Sequence, residues 1–273
     1  MSIAPLIKYA NKSFTLPDTC LRLRKLLDDP RAGVKEMAQV MSVDPSLSAK
    51  VLRLANSALF RFPSQITSVP KALSIIGGEA AYNISMAETA NLAFRSFSSS
   101  LLGFDSFWEK SVLTGLIARC IAQQMQQRGS ERFFVMGILM QLSELVCATK
   151  LEEKYKKYLT KGAETLPLEA QKNIFGFTFS ECSGLILQGW QLPENLYTGM
   201  QSLSLYNKQQ LTKVESILYM ASTMAEMQQG QALLQHPLLN LQAIQCIGLN
   251  DYEYDIIYEF AQSESSKIAQ AIN

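Results

Sequence analysis

The stretch DPSLSAKVLRLANS, residues 44–57, gives the clearest structural signal in the chain. Asp44 is a preferred helix N-cap residue and Pro45 fits the first helical position, so a helix is expected to begin here. Asn56 and Ser57 end the run with small polar side chains that can bond to nearby backbone. Between them, apolar residues at i, i+4, i+7 and i+8 form one face: Leu47, Val51, Leu54 and Ala55. The stretch predicts a short helix with one buried face.

Helical periodicity continues along most of the chain. A long helix is expected to begin near Phe104 and run to about Gln127, and the residues at 128–130 are expected to end it. Ser130 is expected to cap the next helix, whose segment FFVMGILM, residues 133–140, is apolar enough for the centre of the core.

Two further helix starts carry the capping-box pattern, in which a hydroxyl and a carboxylate satisfy free backbone donors. They are Thr178 with Glu181 and Thr212 with Glu215. No stretch alternates apolar and polar residues over the length of a strand. The sequence therefore predicts an all-α fold.

The chain-breaking residues lie between these helical segments, at 62–68, 77–78, 161–167, 189–193 and 235–237. We expect residues 1–15 to form an N-terminal helix or arm. Residues 16–206 should form the main domain, and residues 207–273 a C-terminal helical segment packed on it, with the boundary near 206–210.

Composition narrows the classes of function. The chain has 273 residues, 48% of them hydrophobic, which is ample for a packed core, and a formal net charge of +1. Such a charge gives no field that would favour nucleic acid or a membrane as the main partner. The N-terminus lacks the basic-then-apolar order of a signal peptide, so we expect a cytoplasmic protein. Five widely spaced cysteines without a CxxC pair indicate reduced, mostly buried thiols.

Motifs spread over residues 16–206 resemble the HDOD family, the HD-related output domain of bacterial signalling proteins. They are Leu16-Pro17, the DPSLSAKVLRLANSA string, Ser68-Val69, Ala72-Leu73, Ile76-Gly77, Phe107-Trp108 with Ser111, Gly137-Ile138-Leu139, Phe175-Gly176, and Trp190-Gln191-Leu192-Pro193. The resemblance implies a multi-helix bundle related to the HD-domain phosphohydrolases and phosphodiesterases.

True HD phosphohydrolases hold a divalent metal with histidines and a His-Asp pair, and the metal activates water. This chain has one histidine, His236, outside the family motifs, where we expect a turn residue. The resemblance places the former ligands at positions that carry other residues: Lys110, Met140, Gln141, Phe179, and Leu203 or Ser204. We therefore expect no metal and no other cofactor.

Three functions remain open. We favour a non-catalytic regulatory module that acts on signalling proteins by protein contacts, with homodimer formation left open. A residual phosphohydrolase would have to use carboxylates, with Glu181 and Glu109 the nearest candidates. A sensor would hold a small ligand in the former metal cavity, where Met140, Phe179 and Leu203 favour an apolar one.

The motif residues have two possible roles, one structural and one in binding a partner. Asp44, Pro45, Asn56 and Ser57 either fix the scaffold, which we favour, or contact a partner. We read the other motif residues as structural or interaction residues in the same way: Leu47, Trp108, Trp190 and Pro193.

Overall fold

The regular structure of the described residues is helical. The computed structural model of the chain describes residues 3–60, 62–97, 99–161, 167–203, 211–226 and 241–272. Within these ranges, the extended backbone pairing is limited to an isolated bridge between Ser99 and Leu102. The all-α fold class predicted from the sequence is confirmed.

Helices follow one another with short connections. The first eight are α1 Ala4–Ser13, α2 Asp18–Asp28, α3 Val34–Ser42, α4 Pro45–Ala55, α5 Val69–Ile76, α6 Gly78–Arg95, α7 Phe104–Gln124 and α8 Glu131–Leu139. Those that follow are α9 Leu142–Lys150, α10 Glu152–Lys161, α11 Pro167–Phe175, α12 Phe179–Gly189, α13 Glu194–Ser202, α14 Lys213–Glu226, α15 Leu241–Ile247 and α16 Asp251–Ile272.

The core is built around α7 and α8, which lie against each other at glycines. A Cβ atom on Gly137 would lie 2.6 Å from the Cα of Gly115, and one on Gly115 would lie 2.5 Å from the carbonyl oxygen of Phe134. The two backbones can approach this closely because neither glycine carries a side chain. All eight residues of the 133–140 segment are buried, as the sequence predicted.

Other helices surround this pair. Helix α7 also packs against α14 and α16, while α6 lies between α8 on one side and α2, α4 and α5 on others. Helix α6 is buried from Ala80 to Asn91 without interruption, which explains why its sequence shows no polar face. The described part of residues 207–273 thus shares the apolar core of the main domain.

The predicted end of the long helix was wrong by about three residues. Helix α7 ends at Gln124, because Gln126 adopts a left-handed backbone with φ of 53°. The N–H of Gln127 donates to the carbonyl of Ala122 at 2.8 Å, and that of Gln126 to Gln123 at 2.9 Å, as in a Schellman motif. The turn residue is a glutamine rather than the usual glycine, so its residue type did not mark the end of the helix.

The predicted cap at Ser130 was also wrong. Ser130 does precede α8, but its own backbone is already helical, with φ of −55° and ψ of −24°, and its side chain bonds no backbone N–H. The hydroxyl instead lies 3.4 Å from Oε1 of Glu131.

The two capping boxes are confirmed. The N–H of Glu181 donates to Oγ1 of Thr178 at 3.2 Å, and the N–H of Thr178 donates to the Glu181 carboxylate at 3.4 Å. Thr212 and Glu215 exchange the same two bonds, at 3.2 and 2.7 Å. The predicted boundary at 206–210 and the breaker at 235–237 lie outside the described residues, as do residues 162–166 of the breaker at 161–167.

One stretch of the described chain, Glu131–Lys150, is long and apolar enough to cross a membrane by composition. Of its 18-residue apolar window, 89% of the residues are buried inside the protein, which is typical of a core helix. The thiol prediction is confirmed: the five cysteines are unpaired, with Cys246 half-buried and the others buried.

Candidate functional site

The signature stretch at residues 44–57 forms α4 as the sequence predicted. Oδ1 of Asp44 accepts the N–H of Leu47 at 3.0 Å, and Pro45 occupies the first turn. All four residues of the predicted apolar face are buried. On the same helix, Nζ of Lys50 lies 3.2 Å from Oε1 of Glu88 on α6, and both side chains are nearly buried. This ion pair adds a polar contact that fixes how α4 sits on α6.

Asn56 holds the loop that follows α4. Its Nδ2 donates to the carbonyls of Leu52 and Ile66, each at 2.8 Å, and its Oδ1 accepts the N–H of Ile66 at 2.7 Å. The hydroxyl of Ser57 donates to the carbonyl of Leu54 at 2.7 Å. Both side chains therefore bond to backbone within the domain, which favours the structural reading of this motif.

One of the positions that the family resemblance assigns to a metal ligand, Lys110, takes part in an ion pair. Lys110 on α7 forms a salt bridge with the carboxylate of Glu226, the last residue of α14. The charge of Lys110 also acts on Glu144 of α9, a residue that is only 8% exposed. The lysine ammonium thus pairs with Glu226 and acts at longer range on the buried carboxyl of Glu144.

Two tyrosines border this ion pair. The hydroxyl of Tyr155 donates to Oε1 of Glu144 at 2.8 Å. Tyr158 lies close enough to interact with the charges of Glu144 and Lys110. Nε2 of Gln171 donates to the Tyr158 hydroxyl at 3.4 Å. These residues form a group, called the Lys110 cluster below, that joins helices α7, α9, α10, α11 and α14. Its members are Lys110, Glu144, Tyr155, Tyr158, Gln171 and Glu226.

Burial and charge shift the pKa values in this cluster. Burial raises the pKa of Glu144, although the charge of Lys110 and the Tyr155 hydrogen bond oppose the shift. For Lys110, burial lowers the pKa, but the carboxylates of Glu144 and Glu226 outweigh it and the net pKa is raised. Burial and the nearby Glu144 charge raise the pKa of Tyr158 to about 12. Lys110 therefore stays charged throughout the neutral range, as a fixed cation.

A Glu144→Gln variant tests the shift of that carboxyl. Because folding raises the pKa of Glu144, its contribution to stability is complete below the unfolded pKa of roughly 4.3 and is lost as pH rises through the folded pKa. We expect the free energy of unfolding of the wild type, relative to Glu144→Gln, to increase as pH is lowered from about 7 to about 4. Urea titrations at several pH values measure this difference.

Glu36→Gln is the matched control, with the opposite sign. Hydrogen bonds from the backbone N–H groups of Glu36 and Gly33 lower the pKa of Glu36. Its contribution is therefore present above the unfolded pKa and is lost as pH falls through the folded pKa. The unfolding free energy of the wild type relative to Glu144→Gln could instead stay constant, or decrease as pH is lowered, as expected for Glu36. Either result would show that Glu144 is not held in a desolvated site.

Met140 and Gln141, to which the family resemblance assigns the His-Asp pair, lie in the turn between α8 and α9. Nε2 of Gln141 donates to Oγ1 of Thr114 at 3.5 Å, one turn beyond Lys110 on α7. Met140 is buried, and its carbonyl accepts the Ser183 hydroxyl at 3.0 Å. Neither side chain supplies a negative charge or an imidazole.

The remaining vestigial positions are apolar where the structure describes them. The ring of Phe179 meets that of Tyr158 edge to face, with centroids 5.3 Å apart, so Phe179 borders the Lys110 cluster. Leu203 is buried immediately after α13. Ser204 and His236 lie outside the described residues.

The two carboxylates considered as substitute metal ligands, Glu109 and Glu181, lie elsewhere in the structure. Glu109 is exposed on α7, next to Lys110 in sequence. Glu181 caps α12, and its Oε2 lies 3.6 Å from Nζ of Lys172. Neither belongs to the Lys110 cluster as the structure describes it.

The motif tryptophans hold elements of the fold together. Trp108 is buried, and its Nε1 donates to the carbonyl of Ala269 on α16 at 3.1 Å. Trp190 packs on Phe14 with ring centroids 5.0 Å apart. Pro193 is the residue that precedes α13.

Sequence reasoning missed Glu144, Glu226, Tyr155 and Tyr158. One signal was available for Glu144, since it is the only charged residue in the apolar run 133–149. A charge in such a run requires a partner when it is buried. Periodicity alone could not name that partner, because Lys110 and Glu226 lie far away in sequence.

A divalent metal of the HD type does not fit this set of side chains. Such a metal needs carboxylate, imidazole or thiolate ligands around one point, and here the cation of Lys110 lies against the carboxylate of Glu226. Across the ranges that the structure describes, no three His, Cys, Asp or Glu residues come close enough together to hold a metal ion.

Comparison with known proteins identifies relatives in sequence. The profile of the HDOD domain matches residues 14–204, more than half of the chain. A curated, uncharacterised protein of Treponema pallidum (strain Nichols) is 22% identical over 182 residues, which make up 66% of this chain and 35% of that protein. The chain thus spans about a third of the length of this curated relative.

Solved structures show the same fold over nearly the whole chain. An HDOD domain protein of unknown function from Geobacter sulfurreducens has a TM-score of 0.71 at 19% identity, covering 99% of this chain and 98% of that one. A provisionally assigned phosphohydrolase from Shewanella amazonensis SB2B has a TM-score of 0.73 at 19% identity, covering 98% of both chains.

A third solved structure is described as a signal transduction protein rather than as a phosphohydrolase. A provisionally assigned signal transduction protein from Marinobacter aquaeolei VT8 has a TM-score of 0.69 at 18% identity, covering 99% of this chain and 65% of that one. At these identities the likeness is one of fold.

Proposed function

This chain belongs to the HDOD domain family, and from that premise we propose that it is a non-catalytic regulatory module that relays a signal by binding a partner protein. We place this activity in the cytoplasm, where thiols stay reduced. The partner is a signalling protein, since HDOD domains resemble output modules and one structural neighbour is named for signal transduction.

The observation that carries the proposal is the Lys110 ion pair. A phosphohydrolase needs a metal that polarises phosphate and activates water. At Lys110, which the family resemblance assigns to a former ligand position, the protein supplies its own cation, which pairs with Glu226 and acts on the carboxyl of Glu144. An ammonium group does not coordinate water, so it cannot activate a bound water as a metal ion does.

The rest of the site supports the same proposal. The hydroxyl of Tyr155 bonds to Glu144, and Phe179 and Met140 are buried where ligands would be needed. These side chains fill the region with hydrogen bonds and apolar contacts that stabilise the bundle. The family fold is then retained as a platform for contacts with another protein.

Affinity capture with the tagged full chain from its native cells tests the proposal. We expect the same partner to be captured with and without EDTA, and to form a complex with the purified chain that elutes as one species on size-exclusion chromatography. Capture that depends on a divalent metal would contradict the proposal, as would the absence of any partner that rebinds the purified chain.

A further inference from the structure

The C-terminal part of the chain carries a charge opposite in sign to that of the rest. Residues 214–266 contain seven carboxylates and no lysine or arginine, which gives this stretch a formal charge of −7. Since the whole chain has a formal charge of +1, all other residues together carry +8. A net charge near zero thus hides a strongly acidic stretch, which attracts partners of the opposite charge.

Four of the seven carboxylates lie within the first nine residues of α16. None of these four forms a salt bridge with another described residue. The other three have local partners, since Glu215 caps α14, Glu226 pairs with Lys110 and Glu264 pairs with Lys267. The four at the start of α16 are Asp251, Glu253, Asp255 and Glu259.

Exposed apolar side chains lie among these carboxylates. Tyr252 and Ile256 are 73% and 48% exposed, and their spacing of four residues places them one above the other on α16. Asp255 and Glu259, which are also exposed, have the same spacing and follow the next row of the helix. The outer face of α16 therefore combines an apolar row with an acidic row.

A cavity of about 300 Å³ opens beside this face. Its walls are α7, the segment that follows α4, and α16, which contributes Ile256. Leu59 and Ile257 are buried in the lining, while Phe60 and Phe260 are half-buried. The cavity and the exposed face of α16 beside it, called the α16 groove below, offer an apolar pocket of the kind that receives an anchoring side chain.

The protein itself neutralises the cation in the lining of this cavity. Arg119 on α7 lies with Nη2 3.8 Å from Oε1 of Glu131, and its Nη1 donates to Oε1 of Gln123 at 3.4 Å. Glu253 adds a second carboxylate to the lining. The groove is therefore net negative, so its charges disfavour an anion and favour a cationic partner.

The geometry points to the α16 groove as the docking site for a basic amphipathic helix of the partner protein. An apolar side chain of that helix enters the cavity beside Ile256, and its lysines or arginines face Asp255 and Glu259. This is the helix-in-groove mode of recognition, with charge complementarity along the rim. The inference rests on the proposed function, because it names the surface and the kind of segment by which the partner binds.

The same charges disfavour a second copy of the chain as the occupant. A two-fold dimer brings the same surface of both copies together. The α16 carboxylates would then face each other, and like charges across an interface oppose binding.

A synthetic peptide tests the groove without the natural partner. The probe is a fluorescein-labelled, amidated peptide of about 14 leucine and lysine residues, with the leucines on one helical face. In anisotropy titrations with the full chain in about 50 mM NaCl, we expect 1:1 binding with Kd of about 10 µM. In about 500 mM NaCl, screening should weaken binding roughly ten-fold.

Two control peptides separate charge from shape. One has the same composition with leucine and lysine alternating, so it has no apolar helical face. The other keeps the helical pattern but has glutamate in place of lysine. Each should bind at least about ten-fold more weakly than the probe, a loss of about 1.4 kcal/mol.

Variants of exposed residues place the peptide in the groove. The double variant Asp255→Asn with Glu259→Gln removes two carboxylates, and Ile256→Ser removes the apolar side chain at the cavity. Each should weaken the probe about ten-fold, because the groove needs both its charges and its apolar wall. Unchanged melting temperatures would show that the variants are folded.

Matched control variants lie outside the groove. Asp105→Asn with Glu109→Gln removes two exposed carboxylates at the same spacing on α7. Leu159→Ser changes a residue of α10 that is 51% exposed. Both should bind the probe with the affinity of the wild type, since neither touches the cavity.

Several results would overturn the inference. One is equal binding of the probe by the groove variants and their matched controls, and another is equally tight binding of the glutamate peptide. A dimer that Ile256→Ser dissociates would assign the groove to a second copy. A captured partner that binds the groove variants as tightly as the wild type would also overturn it, but would leave the proposed function intact.

Discussion

Replacing Lys110 with alanine is expected to lower the free energy of unfolding by about 2 kcal/mol, because the change removes the salt bridge to Glu226 and the positive charge that acts on the buried carboxyl of Glu144. Glu144 is 8% exposed and keeps only the Tyr155 hydroxyl as its described hydrogen-bond partner. The Glu226 carboxylate loses its salt bridge at the same time. Urea denaturation of both proteins at pH 7 measures the loss from the change in midpoint at constant slope.

Two controls separate the ion pair from a general effect of losing a lysine. Adding Glu144→Gln to Lys110→Ala should restore at least half of the lost stability, because the buried charge is then gone. Lys156→Ala removes a lysine that pairs with Glu152 and Glu153 on the surface, and it should leave the urea midpoint unchanged. Equal losses of unfolding free energy for the Lys110 and Lys156 variants would show that the Lys110 ion pair contributes no more than a solvent-exposed pair.

Replacing Asn56 with alanine should cost about 2 kcal/mol of unfolding free energy, because the side chain makes three hydrogen bonds to backbone. The change strands the N–H and the carbonyl of Ile66 and frees the loop between α4 and α5. Thermal and urea unfolding both measure the effect.

Asn195→Ala is the control for this change. Asn195 is exposed on α13, so the same substitution there should alter stability by no more than about 0.5 kcal/mol. An Asn56→Ala variant that unfolds like the wild type but loses the captured partner would show that Asn56 makes a binding contact and that its structural reading is wrong.

Local features of the fold could be predicted because they depend on neighbours in sequence. The cap at Asp44 and the capping boxes at Thr178 and Thr212 each need only residues within three positions. The apolar face of α4 follows from spacing alone. The end of α7 was missed because Gln126 takes the left-handed position that glycine usually marks, a choice set by packing rather than by propensity.

The candidate site depended on contacts that sequence spacing does not report. Lys110 was predicted as a lost ligand position, and in the structure it pairs with Glu226 on α14 and acts on the charge of Glu144 on α9. Trp108 on α7 likewise donates to the carbonyl of Ala269 on α16, more than a hundred positions later. Such long-range pairs arise from how helices stack, which periodicity does not determine.

The non-catalytic reading is tested most directly by measuring metal content and metal-dependent hydrolysis on the same sample. The full chain is equilibrated with Mn²⁺ and freed of unbound metal, and the bound metal is quantified by mass spectrometry. Hydrolysis of bis(p-nitrophenyl) phosphate is then followed with and without EDTA. We predict bound metal well below one ion per chain and no EDTA-sensitive rate. One tightly bound ion per chain together with hydrolysis that EDTA abolishes would contradict the account.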